Sequence, residues 1–303
     1  MITVEDDEGD ICDTIPDESC TSVPENFFLN AVNGLGTKLG DQLASVGLVL
    51  PWFLDTLGVS TTIIGMLTPV RRAGALLPQL IVSGQIRKLQ KRKWFWVAGG
   101  TIFGLALILM IPAAMVLPAT YAGITILILL AFGSFGRGFS SVAFKDVTGK
   151  TIPKGNRGTL MALRATLGGI LALIAGFIIR NRFSEQATES IIPYLFLIGI
   201  GGALWILSTI PVASLREHPG ATEGSRNFFQ ELKKGYQTLK EIPGFRKFVL
   251  NRAVLLSIEL SLPFYALYAR QATGGNFGAL GSFVIAGSLS KIFSSPFWGR
   301  FAD

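Results

Sequence analysis

Eight apolar stretches of about twenty residues or more recur along the chain, at roughly 33–54, 60–83, 94–117, 120–143, 158–180, 191–213, 248–269 and 277–298. About twenty helical residues cross the hydrocarbon core of a bilayer. An isolated apolar segment in lipid satisfies its own backbone only as a helix. The pattern therefore predicts an all-α membrane protein with eight spanning helices. The polar stretches between them are short except for 214–247, which follows the sixth span. There Phe228, Leu232, Tyr236 and Leu239 fall at i, i+4, i+8 and i+11. That spacing predicts a helix, either lying on the membrane surface or serving as an ordinary amphipathic linker.

Residues 1 to 25 contain nine acids and no base. They are expected to form a disordered acidic tail, and without a basic start they do not resemble a signal peptide. The predicted division is a tail at 1–26, a six-helix bundle at 27–213, a linker at 214–247 and two further helices at 248–303.

Charge orients this scheme. Arg87, Lys88, Lys91, Arg92 and Lys93 follow the second span; Lys145, Lys150, Lys154 and Arg157 follow the fourth. Seven more bases, from Arg216 to Lys247, follow the sixth, whereas the alternate loops hold Arg180, Arg182 and Arg270. Lys and Arg collect in cytoplasmic loops, and acids count little in that rule. The base-rich side and the N-terminus are therefore expected to be cytoplasmic, as in a multi-pass cell membrane protein of the bacterial inner membrane. A net charge of +7, with half the residues hydrophobic and a mean hydropathy of +0.49, needs no nucleic-acid partner to explain it.

The chemical inventory is sparse. His218 is the single histidine, and Cys12 and Cys20 both lie in the acidic tail. No metal or cofactor site is expected from that set. The cysteines are expected to stay reduced if the tail faces the cytoplasm. With no nucleophile–base constellation in view, an enzyme is not expected.

An internal repeat is visible. Leu50-Pro51-Trp52-Phe53 in the first span matches Leu262-Pro263-Phe264-Tyr265 in the seventh, and each is followed, 33 or 36 residues after its proline, by Gly84 or Gly299. Two parallel halves, each beginning with such a helix pair, are one of the known transporter plans.

Gly299-Arg300-Phe301-Ala302-Asp303 resembles the cytoplasmic signature of the major facilitator superfamily, which in that family joins helices 2 and 3 and recurs between helices 8 and 9. The first-half counterpart, Gly84-Gln85-Ile86-Arg87-Lys88, keeps the glycine but has Lys88 where the family has aspartate; the basic end, Lys91-Arg92-Lys93, remains. The resemblance implies a six-helix N-terminal bundle plus the first two helices of a C-terminal bundle, with about four family helices lying beyond Asp303. It implies that Gly84, Arg92, Gly299, Arg300 and Asp303 belong to a conformational latch. The family's glycine- and proline-bearing antiporter signature is not present in 158–180, which contains no proline.

Ionisable residues within spanning helices are costly and mark functional candidates. The third and sixth spans carry none, while the others do. In the family the third helix of each triplet is peripheral. The candidates for substrate contact or coupling are Asp41, Arg71, Arg72, Arg137 and Glu259. Lys38 is three residues from Asp41 and faces the same way, so the alternative to a functional Asp41 is a self-neutralising pair. Arg164 and Lys291 are expected to snorkel toward the membrane surface, and Arg252 to be interfacial. Pro51, Pro69, Pro78 and Pro263 are candidate hinges or plain kinks.

The resulting expectation is a monomeric secondary transporter that moves a small anionic or amphipathic solute by alternating access, with protons as a candidate coupling ion. The rival expectation is a non-transporting receptor or membrane-complex assembly factor with the same fold.

Overall fold

Residues 20–86, 89–182, 190–219 and 228–302 are described by the computed structural model, and among them there are helices and turns but no strand. Among the described residues six helices are long and apolar enough to cross a membrane: Lys93–Val116, Ala119–Thr151, Lys154–Arg182, Ile192–Ser214, Pro243–Ala272 and Phe277–Ser294. This is the make-up of an all-α, multi-pass membrane protein.

The first two expected spans do not meet the same standard. The first consists of α1 (Val23–Leu43) and α2 (Val49–Thr56), and the second of α3 (Thr61–Gly65) and α4 (Leu67–Ile86). Helix α1 begins inside the stretch assigned to the disordered tail and ends at Ala44. Leu48, at φ −144° and ψ −63°, separates it from α2. The Ser45 side chain accepts the Val49 N–H at 3.1 Å, and the Ser45 carbonyl accepts the Leu50 N–H at 2.9 Å. Pro51 then falls in the first turn of α2, where a missing N–H costs no helical bond. The matching Pro263 lies inside an unbroken α11 (Pro243–Ala272). The repeated tetrapeptide thus has two local outcomes, a helix start and a helix interior.

Proline sets two other boundaries. Helix α5 (Lys93–Val116) stops at Leu117, which is extended (ψ 146°) before Pro118. Helix α6 (Ala119–Thr151) stops at Ile152, extended (ψ 124°) before Pro153. The residue before a proline is driven from the helical region by the ring. Because α6 continues to Thr151, Lys145 and Lys150 lie on a helix rather than in the expected loop. Gly58 takes φ +80° in the tight turn between α2 and α3, a conformation that suits glycine.

Helix α7 (Lys154–Arg182) packs on α1, which also packs on α8 (Ile192–Leu207) and its continuation α9 (Thr209–Ser214). Helix α5 lies between α6 and α8, and α4 lies on α6. The linker helix α10 (Phe228–Glu241) forms where the amphipathic spacing placed it. Helix α11 docks on α2, α3 and α4, and α12 (Phe277–Ala302) docks on α7. Small residues permit the closest crossings. A Cβ on Gly40 would come 2.9 Å from the Gly201 carbonyl oxygen, and one on Gly104 would come 2.7 Å from that of Gly202. The core contains Leu50, Trp52, Phe53, Phe103, Tyr194 and Phe277, while Ile128, Phe132, Phe196 and Ile210 remain exposed on the outer faces. Outward apolar side chains are what lipid contact requires.

Cys20 is disulfide-bonded, contrary to the expectation of a reduced tail; the chain's other cysteine, Cys12, lies outside the described residues.

Candidate functional site

Helix α1 carries a polar stripe. Asn26, Asn30, Asn33 and Thr37 are buried at i, i+4, i+7 and i+11, and Asp41 continues the stripe one turn further. Spacing by three and four keeps these side chains on one helix face. That face turns inward, toward α6, α7 and α8/α9.

Asp41 is the centre of a charged cluster. Arg137 of α6 grips both carboxylate oxygens, with its second amino group 2.7 Å from Oδ2. Arg71 of α4 donates to Oδ1 at 3.4 Å, and the Trp205 indole N–H of α8 donates to the same oxygen at 3.2 Å. The Arg137 guanidinium lies 4.8 Å from the Trp205 ring centre, and both arginines lie 5.3 Å from that of Phe103. Trp205 and Phe103 meet edge to face at 4.9 Å. The aromatic pair thus supports the arginines that hold the carboxylate. Lys38 makes no hydrogen bond or salt bridge to Asp41, although its charge lies close enough to act on that carboxylate. A carboxylate met by a forked guanidinium gains two parallel charge-assisted bonds.

A cavity of about 490 Å³ lies beside this cluster, at the break between α1 and α2, the first turns of α4 and the middle of α6, α7, α11 and α12. All five charged candidates, Asp41, Arg71, Arg72, Arg137 and Glu259, line it. Arg72 of α4 is ion-paired with Glu259 of α11, which ties the seventh expected helix to the second expected span. Lys38 and Lys291 line the same cavity, so it holds five bases and two acids. Lys291 does not snorkel as expected; its ammonium donates to Gln42 Oε1 at 2.9 Å.

Arg164 corrects another expectation. It is buried rather than reaching toward the surface, at 7% exposure. Its guanidinium donates to the Asn30 carbonyl at 2.6 Å, to the Asn30 side-chain oxygen and to Asn33 Oδ1 at 3.1 Å, and lies 4.7 Å from the Phe144 ring centre. The Asn33 amide passes the link to the Ser208 carbonyl at 2.7 Å. Neutral oxygens surround this charge because α1 presents its asparagines at that level. The sequence signal for it is the spacing of the amides along α1.

The latch candidates separate. Arg92 precedes α5, is ion-paired with Asp146 of α6, and its backbone N–H meets both oxygens of Glu217 at 2.9 and 2.8 Å. The Lys93 N–H also reaches Glu217, at 2.8 Å. Lys150 joins the group, 3.2 Å from Asp146 and 3.4 Å from Glu217. Glu217, whose side chain is wholly buried, therefore caps the N-terminus of α5 from another part of the chain. The sequence reading did not single it out. Gly84, Gly299 and Arg300 lie on described helices whose side chains there are not described; Arg87, Lys88 and Asp303 lie outside the described residues.

At the opposite end, Asp55 at the close of α2 is ion-paired with Arg270 of α11. Nearby, Phe264 of α11 fills the space beside Gly65, and Trp52 meets Phe283 of α12 edge to face at 6.1 Å. Among the described residues no group of three or more His, Cys, Asp or Glu could hold a metal ion.

The chain is 27% identical over 286 residues to uncharacterized proteins of Mycobacterium tuberculosis and Mycobacterium bovis, an alignment that spans 91% of this chain and 53% of each relative. The chain therefore spans about half the length of the curated relatives it matches. No family model matches the chain, and no solved structure matches it.

Proposed function

We propose that this chain supplies the first bundle, and the beginning of the second, of a secondary transporter of the major facilitator type that moves a small anionic solute by alternating access. The observation that carries the reading is the convergence of Asp41, Arg71, Arg72, Arg137 and Glu259, drawn from four helices, on one cavity level with the middle of α6 and α11. Intramembrane charges gathered around a cavity are typical of solute pathways, and transporters of this plan bind near the bilayer midplane. Five bases against two acids favour an anion. The volume is in the range of small-molecule sites.

The contacts also suggest the movement. Arg72–Glu259 ties α11 to the first bundle at cavity level, and Asp55–Arg270 ties it beyond the cavity at one end. Alternating access requires one such set to open as another closes. The base-rich loops and the N-terminus face the cytoplasm in this reading. Protons are the candidate coupling ion, and each cavity carboxylate would have to leave its arginine to accept one.

The test is uptake by proteoliposomes containing the full-length protein, with and without a pH gradient, over a panel of organic anions and amphipathic solutes. Saturable flux that falls in D41N and E259Q supports the reading. Absence of flux for every solute, together with a stoichiometric co-purifying membrane protein, would replace it with the receptor or assembly-factor reading.

A further inference from the structure

Two of the five cavity bases, Lys38 and Lys291, form no salt bridge among the described residues. Asp41 is occupied by Arg137 and Arg71, and Glu259 by Arg72. Lys291 reaches only the neutral oxygen of Gln42, and Lys38 has no hydrogen bond or salt bridge among the described residues. Gln42 lies four residues after Lys38, on the same face of α1. Side chains so spaced have Cβ atoms about 5–6 Å apart. Lys291 is therefore parked about one helical turn from Lys38, with both facing the same space.

Beside them α7 presents two glycines. A Cβ on Gly168 would overlap the Lys38 stem, and one on Gly169 would come 2.9 Å from Ile292, the neighbour of Lys291. Helix α7 can thus lie close against both α1 and α12 at the level of the two lysines. Val46, Leu262 and Ala172 supply apolar lining, and Ser45 and Ser288 add hydroxyls. Both side chains are exposed to this cavity, and two ammonium groups facing one space within the membrane are costly unless an anion lies between them.

We propose that Lys38 and Lys291 form a binding site for a small organic dianion, one anionic group to each ammonium, flanked by the neutralised Asp41–Arg137 and Arg72–Glu259 pairs. The inference rests on the transporter reading for the fate of the dianion, and on the cavity alone for its binding.

The probes are succinate, a dianion at neutral pH, and butyrate, a monoanion with the same number of carbons. Thermal unfolding of the full-length protein in detergent is followed at constant ionic strength. A ligand that binds the folded state raises the midpoint by mass action. Succinate should raise the midpoint and butyrate should not at equal concentration. K38Q and K291Q should each weaken apparent succinate affinity by roughly tenfold. Equal effects of the two probes, or unchanged succinate affinity in both variants, would overturn the site. If K38Q does not fold, K291Q carries the same comparison.

Nanodiscs separate a solute from a lipid headgroup. If phosphatidylglycerol stabilises the protein relative to zwitterionic lipid, succinate does not, and the effect is lost in K291Q, the anion is a headgroup and the solute form of the proposal fails. Succinate binding without flux in proteoliposomes would remove transport and keep the dianion site. Flux of another solute, untouched by K38Q and K291Q, would do the reverse.

Discussion

Arg270 near the end of α11 is ion-paired with Asp55 at the end of α2, across 215 residues of chain. Neither side chain is wholly buried. The pair unites the first helix of each half of the proposed repeat, beyond the cavity at one end.

D55N and R270Q should each lower stability by about 1 kcal/mol, because a partly exposed pair is screened. The exchange D55R/R270D should recover most of the loss. Thermal unfolding of D55N, R270Q, D55N/R270Q and the unaltered protein closes a double-mutant cycle, and a coupling energy near zero would deny the pair any role in holding the halves together.

Asp41 accepts a forked grip from Arg137 but a single longer bond from Arg71. D41N should cost about 2–4 kcal/mol, since it leaves two guanidinium groups near an uncharged amide. R137Q should cost more than R71Q. Denaturation midpoints that reverse this order would mean that the hub is not centred on Arg137.

Trp205 combines two roles at Asp41. W205F keeps a ring against Phe103 and Arg137 but removes the indole N–H, and should cost about 1 kcal/mol. W205A should cost about 3–5 kcal/mol because it also empties the packed site. Similar losses in both variants would show that the hydrogen bond, and not ring packing, dominates.

Glu217 caps α5 through the Arg92 and Lys93 N–H groups. E217A should cost about 2–3 kcal/mol, the sum of a lost cap and an ion pair deprived of its carboxylate. Hydrogen exchange should quicken at the first turn of α5 while the middle of the helix stays protected. Uniform exchange along α5 would count against a local cap.

Arg164 should tolerate R164K poorly. Lysine presents a single ammonium where a planar guanidinium now reaches Asn30 and Asn33 together. A loss of about 2 kcal/mol is expected by thermal unfolding, with N33A and R164K less than additive because they share one network.

Much of the secondary structure follows from local chemistry. The long apolar stretches predict α5, α7, α11 and α12 to within a few residues, because lipid leaves a spanning backbone no alternative to helix. Pro118 and Pro153 end α5 and α6 through sterics confined to neighbouring residues. The rarity of charge in apolar helices marks Asp41, Arg71, Arg72, Arg137 and Glu259 from the sequence alone. What each charge meets was not legible in the same way. Lys38 is nearest to Asp41 along α1, yet Arg137 and Trp205 hold that carboxylate because α6 and α8 bring a forked donor and an indole N–H to it. The break between α1 and α2, the burial of Arg164 among asparagines and the capping of α5 by Glu217 depend in the same way on partners distant in sequence. Periodicity and composition determine which segments are helices and which residues are out of place in lipid; only the packing of helices against one another decides which charges pair, because pairing depends on distances that no local pattern encodes.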